Sequence, residues 1–162
     1  MSTLHIGDQA PPFTTIAVGG SYGSGTSISL ATLKGKLVVL YFYPKDDTPG
    51  CTTQACGIRD SWKEIEKTGA TLFGVSIDPI KSHEKFIAKF DLPFPLLTDT
   101  DKAIITAYGV WVEKSMYGKK YMGTERTTFV INAKGKIAAI IPKVKPAEHA
   151  ELVLGALKKL VS

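Results

Sequence analysis

Cysteine is scarce in this chain: there are two among 162 residues, Cys51 and Cys56, with no third thiol for either to pair with. That excludes a disulfide framework of the secreted kind, and a chain long enough to bury a substantial core does not need one. Arginine is scarce too. Of twenty Lys and Arg residues only Arg59 and Arg126 are arginines. The net charge of +5 is therefore carried by lysines, scattered in pairs such as Lys34/Lys36, Lys119/Lys120, Lys134/Lys136 and Lys158/Lys159. That is the pattern of a solvated surface. Recognition of phosphate and guanine favours the bidentate guanidinium, so the composition argues against nucleic acid as a partner. No apolar run approaches the roughly 18 residues of a membrane span, and "MSTLHIGDQAPPF" has no cationic start followed by an apolar stretch. The expectation is a cytoplasmic protein without a membrane partner.

What is present alternates between strand and helix signals. "LVVLYFY" (Leu37 to Tyr43) is a continuous apolar, β-branched and aromatic run, as in a strand buried on both faces. A helix-like segment follows to about Lys67, with Gly69 as its stop. "ATLFGVSI" (Ala70 to Ile77) reads as a second buried strand. "SHEKFIAKF" (Ser82 to Phe90) reads as a helix with Ser82 as N-cap and with Phe86 and Phe90 on one face. A short helix is expected near Lys102 to Tyr108. "TTFVI" (Thr127 to Ile131) and "KIAAII" (Lys136 to Ile141) flank "NAKG" as a hairpin. The last segment is an amphipathic helix with Pro146 in its first turn. "VGGSYGSGTS" (Val18 to Ser27) reads as a flexible hairpin loop or surface insertion.

From Leu37 the order is β-α-β-α-(α)-β-β-α. Two parallel crossovers followed by an antiparallel hairpin give an α/β chain of thioredoxin-like order: a mixed central sheet flanked by helices, preceded by an N-terminal β-hairpin extension.

Both cysteines lie in "PKDDTPGCTTQAC", just after the first central strand and at the start of its helix, where open α/β sheets place their ligands. The free N–H groups and positive dipole end of a helix N-terminus favour an anion, here a thiolate at Cys51. Pro49 suits a helix entry, and Thr48 before it is biased towards extended backbone. Four readings of the pair stand side by side. A structural zinc site needs four ligands, and His5, His83 and His149 have no motif spacing. A dithiol exchanger normally uses C-x-x-C, and here the spacing is C-x4-C. The pair can also be two inert thiols on a buried helix face, or a peroxide-reducing pair in which one thiol attacks and the other resolves.

The residues themselves carry a resemblance. "P-x3-T-x2-C", here Pro44, Thr48 and Cys51, resembles the active-site signature of peroxiredoxins. "FYPKDDTPGCTTQACGIRD" is similar to the bacterioferritin comigratory protein, or peroxiredoxin Q, subfamily. The likeness extends through "GDQAPPF", "GKLVVLYFYP", "SHEKFIAKFDLPFPLLTD" and "YGVWVEKSMYGKKYMGTERTTFVI". It implies one thioredoxin-like domain over residues 1–162 and a thiol peroxidase of antioxidant defence. Cys51 would be the attacking thiol, Thr48 its support, Pro44 its shield, Arg126 the active-site arginine and Cys56 the resolving thiol. The resemblance further implies an atypical 2-Cys enzyme that reduces hydrogen peroxide and organic hydroperoxides, is recycled by thioredoxin, acts as a monomer and needs no cofactor or metal. Without it, Arg126 reads as a surface salt-bridge residue and Thr48 as a simple helix cap.

Geometry adds one expectation. In an α-helix, residues i and i+5 have Cα atoms about 8.6 Å apart, beyond the ~7 Å limit for a disulfide. Cys51 and Cys56 can pair only if the first one or two turns of their helix unwind.

Overall fold

The computed structural model describes residues 4–161. The chain starts with an antiparallel hairpin, β1 (Thr14–Val18) and β2 (Thr26–Ser29). β3 (Val38–Phe42) follows, then α1 (Pro49–Asp60) and α2 (Trp62–Lys67). Next come β4 (Thr71–Ser76), α3 (Ile80–Phe90), β5 (Leu96–Thr98) and α4 (Ala103–Ala107). A second hairpin, β6 (Trp111–Met116) with β7 (Lys119–Thr124), precedes β8 (Thr128–Ile131), β9 (Ile137–Ile141) and α5 (His149–Val161).

Seven strands form one mixed sheet in the order β2-β1-β5-β4-β3-β8-β9. β3 runs parallel to β4, and β4 to β5, while β8 is antiparallel to both β3 and β9. The side chains of β3 alternate between two cores, as the two-residue period of a strand requires. Val38, Leu40 and Phe42 pack with Phe73, Tyr108 and Phe129 on one face. Val39, Tyr41 and then Tyr43 pack on the other with Cys51, Ile58 and Leu157. All five residues of β3 are buried, and burying such a side chain contributes about 1.5–3 kcal/mol. No described helix is long and apolar enough to cross a membrane.

Four sequence expectations need correction. The second parallel crossover ends on β5, a three-residue strand too short to show a period, and not on β8. The β6–β7 hairpin was not anticipated, because it stands outside the main sheet and its half-exposed residues carry no apolar alternation. The helix expected to run from the cysteine loop to Lys67 breaks at Ser61. Ser82 is not an N-cap: α3 begins at Ile80, with the His83 N–H donating to the Pro79 carbonyl at 3.2 Å, and the Ser82 hydroxyl donates instead to Asp46 Oδ2 at 2.8 Å.

Of the two expected forms of the Gly/Ser-rich segment, the structure has the hairpin loop, joining β1 to β2, and packs its first glycines closely against Ile87 and Pro95. A Cβ on Gly19 would stand 2.6 Å from Ile87 Cδ1, and one on Gly20 would stand 3.2 Å from Pro95 Cδ. Both glycines also have positive φ, so close approach and backbone geometry together select them.

Candidate active site

Thr48 leaves β3's loop in extended backbone (φ −99°, ψ 156°), and Pro49 occupies the first helical position of α1. Pro lacks an N–H where the helix needs none, so this start suits it. The helical ladder begins with Thr52 N–H donating to the Thr48 carbonyl at 2.8 Å. The N–H groups of Gly50 and Cys51 precede that bond and face the helix N-terminus without an intrahelical acceptor. The Cys51 thiol is buried, with 1% of the residue accessible, in the core between the sheet and α5.

Arg126 enters from the connection between β7 and β8, seventy-five residues further along the chain. Its Nη1 lies 3.1 Å from Cys51 Sγ and 3.0 Å from Gln54 Oε1. Gln54 is one turn after Cys51 on the same buried face of α1. The Arg126 backbone is fixed as well, since its carbonyl accepts from Val144 N–H at 2.9 Å. Gly50 leaves room for the guanidinium: a Cβ there would meet Nη2 at 2.7 Å and Cζ at 3.3 Å.

The groups behind the thiol are held neutral. Tyr41, fully buried, has its phenol pushed well above the ordinary range by burial and then by the neighbouring Cys51 and Asp46 charges. Burial, with Arg126 adding repulsion, lowers His149 to about 3, and its Nε2 lies 2.7 Å from Thr128 Oγ1. Among the described residues, the Tyr41 hydroxyl, Gln54 Nε2 and His149 Nδ1 find no hydrogen-bond partner. Lys114 on β6 is lowered by burial and then by Arg126, and its ammonium donates to the Thr124 carbonyl at 2.6 Å. Arg126 is thus the cation in direct contact with the sulfur.

Cys51 and Arg126 are in contact, and Thr48 borders them as the residue on which α1 starts. The Thr48 hydroxyl donates its hydrogen to the Lys45 carbonyl at 2.9 Å. With its hydrogen so placed, its oxygen can act towards a further group only as an acceptor. Pro44 is half-buried at the start of the same loop. Cys56 is half-buried on α1, and both thiols are free. The sequence reading missed Gln54, Gly50 and Tyr41. For Gln54 the signal was a polar residue at i+3 on the cysteine's own helix face. Of the three histidines, His83 and His149 are core residues and His5 is exposed.

Residues 6–140 match the AhpC/TSA family. A protein of Coxiella burnetii named putative peroxiredoxin bcp is 48% identical over 155 residues, 96% of this chain and 99% of its own. Among solved structures, the Xanthomonas campestris bacterioferritin comigratory protein superposes with a TM-score of 0.84 at 38% identity over the whole of both chains. It is described as a trapped intermediate/ligand complex bearing on alkyl peroxide reduction activity. PrxQ of Xylella fastidiosa superposes with a TM-score of 0.89 at 35% identity, also over the whole of both chains.

Proposed function

The chain belongs to the AhpC/TSA family and is a peroxiredoxin of the Bcp type, a thiol peroxidase; from this premise we propose that Cys51 is the thiol that attacks peroxide and Cys56 the thiol that resolves it. The observation that carries the assignment is the 3.1 Å contact between Arg126 Nη1 and Cys51 Sγ at a helix N-terminus.

Magnitudes show why the surroundings matter more than ionisation. For any thiol, lowering the pKa from ~8.5 to ~6 raises the thiolate fraction at pH 7 about thirtyfold. Nucleophilicity falls with basicity at a Brønsted slope of about 0.45, so the net gain is only about two- to threefold. The larger share must come from groups that align the O–O bond and stabilise charge on the leaving oxygen, where one such group supplies ~3 kcal/mol. Arg126 and the free N–H of Cys51 are the donors for that charge. The Thr48 hydroxyl, its own hydrogen on Lys45, accepts the peroxide O–H. Pro44 shields the sulfur from water.

The steps balance as follows. The Cys51 thiolate displaces RO⁻ from ROOH and becomes a sulfenic acid, and RO⁻ leaves as ROH after taking up a proton. The Cys56 thiol then attacks the sulfenic sulfur, forming the disulfide and releasing water. An external dithiol of the thioredoxin class returns both thiols. Hydrogen peroxide and organic hydroperoxides are the proposed substrates. The 162 residues act as one domain, as a monomer in the cytoplasm, and both peroxide reduction and disulfide closure use groups of the chain itself.

Peroxide consumption coupled to thioredoxin turnover tests the assignment. Wild type is expected to turn over and Cys51→Ser to be inactive. Cys56→Ser is expected to form one equivalent of sulfenate and then recycle poorly. Full turnover by Cys51→Ser overturns the reading.

A further inference from the structure

The reaction makes two opposed demands on one stretch of chain. For peroxide attack, Thr48, Cys51 and Arg126 must hold fixed positions. For disulfide formation, Cys51 must then move towards Cys56, which an intact α1 keeps about 8.6 Å away. Unwinding of α1 therefore needs a fixed boundary, or it would carry away the loop that forms the peroxide site.

The polar contacts are divided in this sense. Among the described residues, the side-chain hydrogen bonds that join residues 49–57 to the rest of the protein both come from Arg126. Thr53 Oγ1 bonds only within the helix, to the Pro49 carbonyl. The loop just before α1 is tied in many places. Asp46 Oδ1 accepts from the Tyr43 hydroxyl at 2.6 Å, and Oδ2 accepts from the Ser82 hydroxyl at 2.8 Å and from His83 Nδ1 at 2.7 Å. The Asp46 N–H donates to Asp78 Oδ2 at 2.9 Å, and that carboxylate also accepts from the Ser76 hydroxyl at 2.7 Å. His83 Nε2 lies 2.9 Å from the Leu97 carbonyl of β5. The His83 and Asp46 side chains are 0% and 3% exposed.

Both ring nitrogens of His83 are hydrogen-bonded, one to the Asp46 carboxyl group and the other to a backbone carbonyl, so the ring bridges the loop to β5. Removing one partner of such a buried pair leaves the other unsatisfied, so the pair holds its loop firmly. The next residue, Asp47, is held at φ 55°, the left-handed region, a conformation that persists where its surroundings fix it. Thr48 is tied back to Lys45 through its hydroxyl.

We propose that the buried Asp46–His83 pair is a positioning clamp: it holds the Lys45–Thr48 loop in the geometry that peroxide attack requires and sets the boundary beyond which α1 unwinds for disulfide formation. The inference rests on the thiol-peroxidase reading of Cys51 and Cys56. It assigns a role to residues that touch neither peroxide nor sulfur.

The two half-reactions are measured separately. Sulfenate formation is followed by rapid quench and mass spectrometry in a Cys56→Ser background. Disulfide closure is followed in the two-cysteine chain at peroxide concentrations where the first step no longer limits. With His83→Gln or Asp46→Asn, the first step is expected to slow by about ten- to hundredfold, the range a misplaced reacting group produces. The second is expected to stay within about twofold of wild type or to quicken. In wild type, hydrogen exchange is expected to keep Asp46 N–H protected in the disulfide form while protection is lost from Thr52 onwards. Where a variant melts early, Ser82→Ala, which removes one donor to Asp46 and leaves the Asp46–His83 hydrogen bond, is expected to give the same split at severalfold. Equal slowing of both steps, no slowing in Ser82→Ala, or loss of Asp46 protection in the wild-type disulfide form overturns the clamp. Failure of the unmutated chain to form sulfenate overturns the peroxidase reading instead.

Discussion

The guanidinium of Arg126 lies across Gly50 so closely that a Cβ at this position would stand 2.7 Å from Nη2. Gly50 is a helical residue without positive φ, so the backbone accepts alanine, and alanine favours a helix by about 1 kcal/mol over glycine. Gly50→Ala is therefore expected to keep or raise the melting temperature while pushing Arg126 off the sulfur. Peroxide reduction should slow by about ten- to hundredfold. Steady-state rates beside a thermal melt check both halves of the expectation.

Arg126 Nη1 serves Cys51 and Gln54 together. Lysine keeps the charge but loses the planar fork. Arg126→Lys is expected to lower kcat/KM by roughly 10²-fold, the loss typical of one donor to a developing oxyanion. Single-turnover oxidation of Cys51 is the direct measurement, and a rate near wild type would show that charge alone suffices.

Disulfide formation requires α1 to open. Hydrogen exchange of residues 52–58 is expected to be faster in the disulfide form than in the dithiol form. Gly57 offers a test of that opening, since a Cβ there would meet Ala150 Cβ at an ordinary 3.7 Å. Gly57→Ala should stabilise α1 by about 1 kcal/mol and slow disulfide closure about fivefold, leaving sulfenate formation unchanged. Rapid-quench kinetics of the two steps separate these effects.

His149 gives a pH signature. Burial lowers it from the ordinary 6.5 to about 3, so between those values the unfolded chain takes up a proton that the folded chain refuses. Its stabilising share is complete above about pH 6.5 and is lost as the pH falls towards 3. Within that window the slope is about 1.4 kcal/mol per pH unit at most. His149→Gln keeps a hydrogen-bonding group for Thr128 and removes the titration. Urea unfolding between pH 4 and 6.5 is expected to show a shallower pH dependence in the variant.

The strands that read correctly from the sequence are those whose neighbours in the chain carry the signal. Leu37 to Tyr43 declares itself by an unbroken apolar run, and the hairpin around "NAKG" by turn chemistry: Gly135 has φ 80° and its N–H bonds the Asn132 carbonyl at 2.9 Å. β5 failed that test because three residues cannot display a period. Ser82 misled because a serine before an apolar helix face looks like a cap, while its hydroxyl is drawn to the carboxylate of Asp46, thirty-six residues earlier.

Local order in the chain determined the α/β alternation, the start of α1 at Pro49, and the position of Cys51 in its first turn, because propensity, proline geometry and helix dipoles act over a few residues. Only the tertiary structure decided that Arg126 meets a sulfur seventy-five residues away and that Asp46 finds His83. Those contacts depend on how sheet and helices pack, and a hydrogen bond of about 3 Å is set by coordinates to which residues far apart in the chain contribute equally.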